Sequence, residues 1–272
     1  MMTQKTPSLM RLILLLAAAV ALMWALRLCS QPGSYANFRP AGGDTIDVAI
    51  EYGPMSLYRY DDTLGGFAYD LLRLMADSSD VAFKFHPVTS YAAALPLLAA
   101  GDYDLLVAHI PATTTTDTTL YSFTVPVMLD RQVLVQRRDS LGKAAIRSQL
   151  DLAGHSVSVS AQSPAADRLR NLASEIGDTI FVIEDPDYGD EQLVILTATG
   201  DIPCCVVAES TARNLCDSFP ELDISTAISF TQFQAWLTTR KNTILRQRID
   251  SLITATKSTP EYPQLLRRYR HL

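Results

Sequence analysis

Six threonines, Thr113 to Thr116 with Thr118 and Thr119, surround a single charge, Asp117, in the stretch ATTTTDTTLYSFTVP. Packed β-branched side chains with competing hydroxyls disfavour a helix. The run therefore reads as a loop rich in hydrogen-bonding groups, and its one charge is negative. The other reactive side chains are dispersed. The four histidines, His86, His109, His155 and His271, form no cluster in sequence. There is no G-x-S-x-G, no H-E-x-x-H and no G-x-x-x-x-G-K-[ST]. Acids are plentiful, but none form a diagnostic glycosidase pair. Cys204 and Cys205 are adjacent in CCVVA, and Cys216 follows. On a strand the first two point to opposite faces, and either is open to pairing with Cys216 in an oxidising compartment. With no further Cys or His at ligand spacing, no metal and no cofactor are expected.

Of the 272 residues 48% are hydrophobic, a balance that fits a globular fold of one large domain or two lobes. Lys5, Arg11 and Arg27 are the only charges in the first 29 residues, so the formal net of −6 becomes −9 for the remainder. That sign argues against nucleic acid as a partner. The basic cluster RRYR, Arg267 to Arg270, reads as a solvated helix end complementing the dipole. Lys5 and Arg11 precede the uncharged Leu12 to Leu26, the layout of an export signal. That segment is short of the roughly 20 residues of a membrane span. Three fates are open: an uncleaved anchor, lipid modification at Cys29, or release. Each places residues 34–272 outside the cytoplasmic membrane.

These side chains need elements to hold them. Residues 30–44 are rich in Pro, Gly and Ser and read as a linker. TIDVAIEY alternates as a strand does, and GGFAYDLLRLMADSS carries Phe67, Leu71, Leu74 and Met75 on one helical face. FKFHPV is a strand. Ser90 and Gly101 bracket a helix, and YDLLVAHI is a strand buried on both faces. The pattern then repeats. SVSVSA precedes a helix opened by Ser163 and Pro164. DTIFVIE, a helix ending at Gly200, CCVVA and a helix from Glu209 follow. KNTILRQRIDSLITATK has helical apolar spacing at Ile244, Ile249, Leu252 and Ile253. Two β-α-β-α-β series predict an α/β clamshell of two lobes with mostly parallel sheets. Two extended segments, YSFTVPVMLDRQVLVQRRD and ISFTQFQAWLTTRK, would form its hinge. The expected division is 1–29 signal or anchor, 30–44 linker, 45–128 first lobe, 129–226 second lobe, and 227–272 return to the first lobe. Ligands in such sheets bind beyond the carboxyl ends of the strands. Here those ends are Tyr52 to Tyr58, His109 to Asp117, Ala161 to Ser163, and Glu209.

In order, EYGPMSLYRYDDTLGGFAYDLL, LPLLAAGDYDLLVA, YSFTVPVM, SQLDLAGHSVSVSAQSPA and GDIPCCVVAES resemble the family 3 extracellular solute-binding proteins over about residues 45 to 271. The form resembled most is the N-terminal binding module of the membrane-bound lytic transglycosylase F type, without a catalytic domain. The resemblance implies a ligand clamp. Tyr52, with Ser56 and Tyr58 nearby, would stack on or line the ligand. His109, Thr113 and Thr114 would offer a carbonyl and hydroxyls. Ser163, at a helix N-terminus, would face an anion, and Glu209 would receive an amino group. Plain structural roles stay open beside these: a core ring for Tyr52, a satisfied histidine for His109, an N-cap for Ser163 and a helix-start acid for Glu209.

One departure stands out. Members that bind α-amino acids carry an arginine soon after that threonine, bidentate to the ligand carboxylate. Here Thr116 or Asp117 occupies the place, and no arginine lies between His109 and Arg131. A neutral or cationic ligand, such as an amine-bearing peptide or muropeptide-like fragment, fits Asp117, Glu209 and the hydroxyls. The implied role is the capture component of an ABC-type importer, with an inner-membrane permease as partner and the N-terminal segment at the membrane. The alternative is a tethered sensor or regulator of a cell-wall enzyme; a transglycosylase-related enzyme is the weakest reading.

Overall fold

A computed structural model describes residues 45–112 and 117–270. Its strands are β1 (Thr45–Glu51), β2 (Tyr58–Tyr60), β3 (Thr63–Gly65), β4 (Ala82–Val88), β5 (Leu105–Pro111), β6 (Tyr121–Phe123), β7 (Met128–Asp130), β8 (Gln132–Arg137), β9 (Ser156–Ser160), β10 (Phe181–Asp185), β11 (Cys204–Ala208), β12 (Leu222–Asp223) and β13 (Gln232–Thr239). Its α-helices are α1 (Phe67–Asp77), α2 (Tyr91–Ala100), α3 (Pro164–Ile176), α4 (Asp190–Thr199), α5 (Glu209–Cys216), α6 (Thr243–Lys257) and α7 (Glu261–Arg270).

The strands form two main sheets, ordered β4-β1-β5-β13-β6 with β7 also on β13, and β10-β9-β11-β8-β12. Each has a parallel core of three strands. Antiparallel strands complete both: β13 on β5 in the first sheet and β8 on β11 in the second. The result is a clamshell of two α/β lobes. Only Arg131 separates β7, on the first sheet, from β8, on the second. The chain returns from the Val133–Ala227 bridge to β13. These are the two extended hinge passages.

CCVVA shows why the second sheet has this form. Cys204 and Val206 pack on one face with Ala166, Leu169 and Leu172 of α3. Cys205 and Val207 pack on the other with Leu193 and Val194 of α4 and Ala212 of α5. A strand covered on both faces needs a continuous apolar run, and each fully buried Val or Leu contributes about 1.5–3 kcal/mol. Cys204, Cys205 and Cys216 are free; burial pushes the Cys204 thiol up to about 11. In the first lobe the Ser90 hydroxyl accepts from Ala93 N at 3.3 Å to start α2, and Gly101 at φ 88° ends it. Ala94 and Leu98 then seat α2 on Ala49, Leu106 and Leu237. Gly66 has no substitute: at φ 125° a Cβ there would lie 2.3 Å from the Ser56 carbonyl oxygen.

Three sequence expectations change. Ile244 is 82% exposed, whereas α6 buries Ile249, Ile253 and Thr256. Five residues before Ile249 is about 140° around the helix, away from that seam. The extended run from Tyr121 is three short strands, because it leaves the first sheet for the second at Arg131. RRYR is not simply a solvated end. Tyr269 is buried, accepting from Gly66 N at 2.9 Å and donating to Asp70 Oδ2 at 2.8 Å, and Arg268 reaches the same carboxylate at 3.2 Å.

Candidate ligand cleft between the lobes

The carboxyl ends of the parallel strands converge on a cavity of about 50 Å³ between the lobes. That is room for a few waters, so the lobes approach closely at this point. Glu51 enters at the end of β1, Tyr91 at the start of α2 and His109 on β5. Ser163 precedes α3 and Asp190 opens α4 on the other side, with Asp130, Arg131 and Gln132 at the hinge crossing. The turn that delivers Ser163 is strained, since Gln162 sits at φ 54°, a conformation costing a non-glycine residue roughly 1–2 kcal/mol. The lobes also approach closely at Gly189: a Cβ there would stand 3.1 Å from the Thr89 carbonyl of the facing lobe.

The cleft is acidic. Burial, reinforced by the charge of Asp190, pushes the Glu51 carboxyl up to about 8 against a hydrogen bond from the Tyr91 backbone. Burial, with the charge of Asp130, pushes Asp190 up to about 6, although Ala208 N donates to it at 3.3 Å. Burial lowers the His109 pKa and Asp130 only partly opposes this, so the imidazole stays neutral; burial raises Asp130 against the pull of His109 and Ser210. The guanidinium at the cleft, Arg131, is already engaged. It donates to Glu209 from Nε at 2.6 Å and from Nη2 at 2.8 Å. Two polar atoms here have no hydrogen-bond partner: Gln132 Oε1 and Ser163 Oγ.

The residues singled out in the sequence fall in different places. His109 and Ser163 line the cavity. Ser163 precedes α3 without a side-chain capping bond. Ser56 is buried beside a small gap behind His109. Glu209 opens α5 and lines an adjoining chamber of about 770 Å³, walled by Met55, Phe67 and Phe233 among others. Arg213 also holds it, at 2.6 Å. Burial works against the Glu209 carboxylate, but Arg131 and Arg213 outweigh it and its pKa lies below the ordinary value. Tyr52 is 40% exposed and Tyr58 packs over Gly65; neither lines the cleft cavity. Asp117 is exposed and turned to its own loop, accepting from Thr119 N at 2.8 Å. Those bonds from Thr119 lower its pKa. Thr113, Thr114 and Cys29 lie outside the described residues, as do the export segment and the linker.

Sequence reasoning missed Glu51, Asp130, Gln132 and Asp190. The strand-end rule pointed to Glu51 but was applied one residue late, at Tyr52. Asp190 carries no signal of its own, since an acid in a first helical turn is ordinary dipole chemistry.

The sequence model of the bacterial extracellular solute-binding proteins, family 3, matches residues 45–271. The chain is 32% identical over 195 residues to a membrane-bound lytic murein transglycosylase F of Aeromonas hydrophila subsp. hydrophila, covering 72% of this chain and 38% of that protein. It thus spans well under half of that relative's length. A solved ancestral arginine-binding protein bound to arginine is similar in fold, with TM-score 0.70 and 19% identity over 83% of this chain and 97% of that one. So is AbpA, an amino acid ABC transporter substrate-binding protein from Streptococcus pneumoniae bound to L-arginine, with TM-score 0.68 and 18% identity over 83% of this chain and 94% of that one. At such identities the likeness is one of fold.

Proposed function

The chain belongs to the bacterial extracellular solute-binding proteins, family 3, and we propose that it captures a small, polar, amine-bearing solute between its lobes. One observation carries this ligand class. The cleft presents Glu51, Asp130 and Asp190, while its guanidinium, Arg131, is spent on Glu209. A free carboxylate entering there would meet acids already pushed towards their neutral forms by burial, and no unpaired cation. An amine meets compensating charge in a medium where burial strengthens it. Capture is by lobe closure about the two hinge passages. The protein works outside the cytoplasmic membrane, held there by its N-terminal segment, as the capture component of an ABC-type importer. No catalytic role is proposed.

A second reading is a tethered sensor whose closed state is read by a cell-wall enzyme. The likeness to part of a lytic murein transglycosylase favours it. Both readings share the ligand class. The test is calorimetric titration of the full chain with L-glutamate, L-glutamine and the tripeptide L-Ala-γ-D-Glu-meso-diaminopimelate. Binding of the tripeptide through its N-terminal ammonium, with its three carboxylates left outside the cleft, is expected, without binding of L-glutamate, whose ammonium shares a carbon with a carboxylate. Tight binding of L-glutamate with no response to the tripeptide would refute the ligand class.

A further inference from the structure

Glu51 and Asp190 reach the cavity from opposite lobes, and the charge of Asp190 is felt at Glu51. Ionised together, they would drive the lobes apart. The closed structure therefore demands protons on them or a cation between them. A second observation is of a different kind. Gln132 is only 9% exposed and lines the same cavity, yet its Oε1 accepts no hydrogen bond. Ser163 Oγ, buried at the cavity wall, is also without a partner. Unmade bonds of buried polar atoms are costly, so the site lacks a donor, and its carboxyl pair stays closed only with a proton or a cation.

A primary ammonium supplies both, with one charge and three N–H donors. A guanidinium spreads five donors over a wide plane, poorly suited to so small a space. Among the described residues no three His, Cys, Asp or Glu side chains are grouped to hold a metal ion. The other titratable groups facing the pair leave the need unmet. His109 on β5 is held neutral, Arg131 is paired with Glu209, and Asp130 is a further acid that burial pushes up against the pull of His109 and Ser210. Glu191, next along α4, is itself pushed towards its neutral form by burial.

We propose that Glu51, Asp190, Gln132 Oε1 and Ser163 Oγ form a seat for the ligand's primary ammonium, and that filling it releases a proton from the carboxyl pair. This rests on the reading of the cleft as the ligand site and specifies what its floor takes. The exchange balances: the carboxylic acid loses H⁺ to solvent, and the incoming R–NH₃⁺ takes its place as the compensating charge. Below the pKa of the buried acid, ligand and proton compete, so affinity rises with pH.

The test is calorimetry on the full chain with L-Ala-γ-D-Glu-meso-diaminopimelate and its fully N-acetylated form, in buffers of different ionisation enthalpy. The free-amine tripeptide is expected to bind at least about tenfold more tightly than the acetylated form. About one proton should be released, and affinity should rise severalfold per unit from about pH 6 to about pH 8. Glu51→Gln, which copies the neutral acid in shape, should cost about tenfold in affinity and abolish the proton release. Equal binding of both forms, or free-amine binding without proton release, overturns the seat while leaving solute capture intact. Binding of neither form while L-glutamate binds overturns the amine-bearing ligand class and the seat together.

Discussion

Two carboxylates, Glu51 and Glu209, have opposite fates in this molecule. Glu209 opens α5 and is gripped by two guanidiniums. Glu51 ends β1 in a cleft where its strongest electrostatic neighbour is another acid. Burial opposes ionisation in both cases. At Glu209 charge-assisted hydrogen bonds win and the carboxylate is held ionised. At Glu51 desolvation and the charge of Asp190 outweigh the one hydrogen bond from the Tyr91 backbone, and the acid is held towards its neutral form. The satisfied group therefore serves as a latch, fixing the hinge residue Arg131 to the second lobe. Among the described residues Glu51 has no cation beside it, and the proposed ammonium seat would supply one. Unmet polar demand, more than the presence of acids as such, distinguishes a binding site from a structural ion pair.

The comparison can be broken by removing each partner in turn. Glu209→Ala leaves Arg131 and Arg213 without their carboxylate and should destabilise the protein by about 2 kcal/mol in urea unfolding. Glu51→Gln should leave the unliganded protein as stable as before, or more so. An equal loss for both would erase the distinction.

Titration sharpens the same contrast. The folded value of Glu51, about 8, lies above its ordinary 4.5. Its contribution to stability is therefore complete below the ordinary value and drains away as pH rises towards the folded one. Glu209 is depressed, so its contribution is present above 4.5 and is lost as pH falls through its folded value. Thermal melts without ligand should lose at least about 3 °C between pH 5 and pH 8, and Glu51→Gln should flatten that slope. A wild-type melting temperature that rises across this window contradicts the assignment.

A smaller effect is expected at the rim. Gly189→Ala places a methyl 3.1 Å from the Thr89 carbonyl of the facing lobe. It should weaken the tripeptide severalfold by hindering closure, with little change in urea midpoint, because the contact exists only between lobes. The smallest effect should come from Asp117→Asn. Its side chain is exposed and serves its own turn, so stability should change by no more than a few tenths of a kcal/mol.

The fold was legible because two periodicities are cleanly written. CCVVA, short, apolar and bounded by turns, reads as a strand covered on both faces, and Ser90 with Gly101 punctuates a helix at both ends. The residue order also carried the family. The cleft was less legible because its floor is assembled from single residues far apart in sequence, Glu51, Gln132, Ser163 and Asp190. Each looks ordinary in its own segment. What marks them is burial in one cavity, with Gln132 Oε1 and Ser163 Oγ unpartnered and two acids brought together, a property of three-dimensional packing. Glu209 illustrates the converse: its type and place suggested an amine receptor, and only the fold shows two arginines already on it.

The most direct measurement is the structure of the protein purified from its native host with its ligand retained. The account predicts a ligand nitrogen within about 3 Å of carboxylate oxygens of both Glu51 and Asp190, with Gln132 Oε1 completing its bonds. A ligand carboxylate in that position, held by Arg131 released from Glu209, would contradict it.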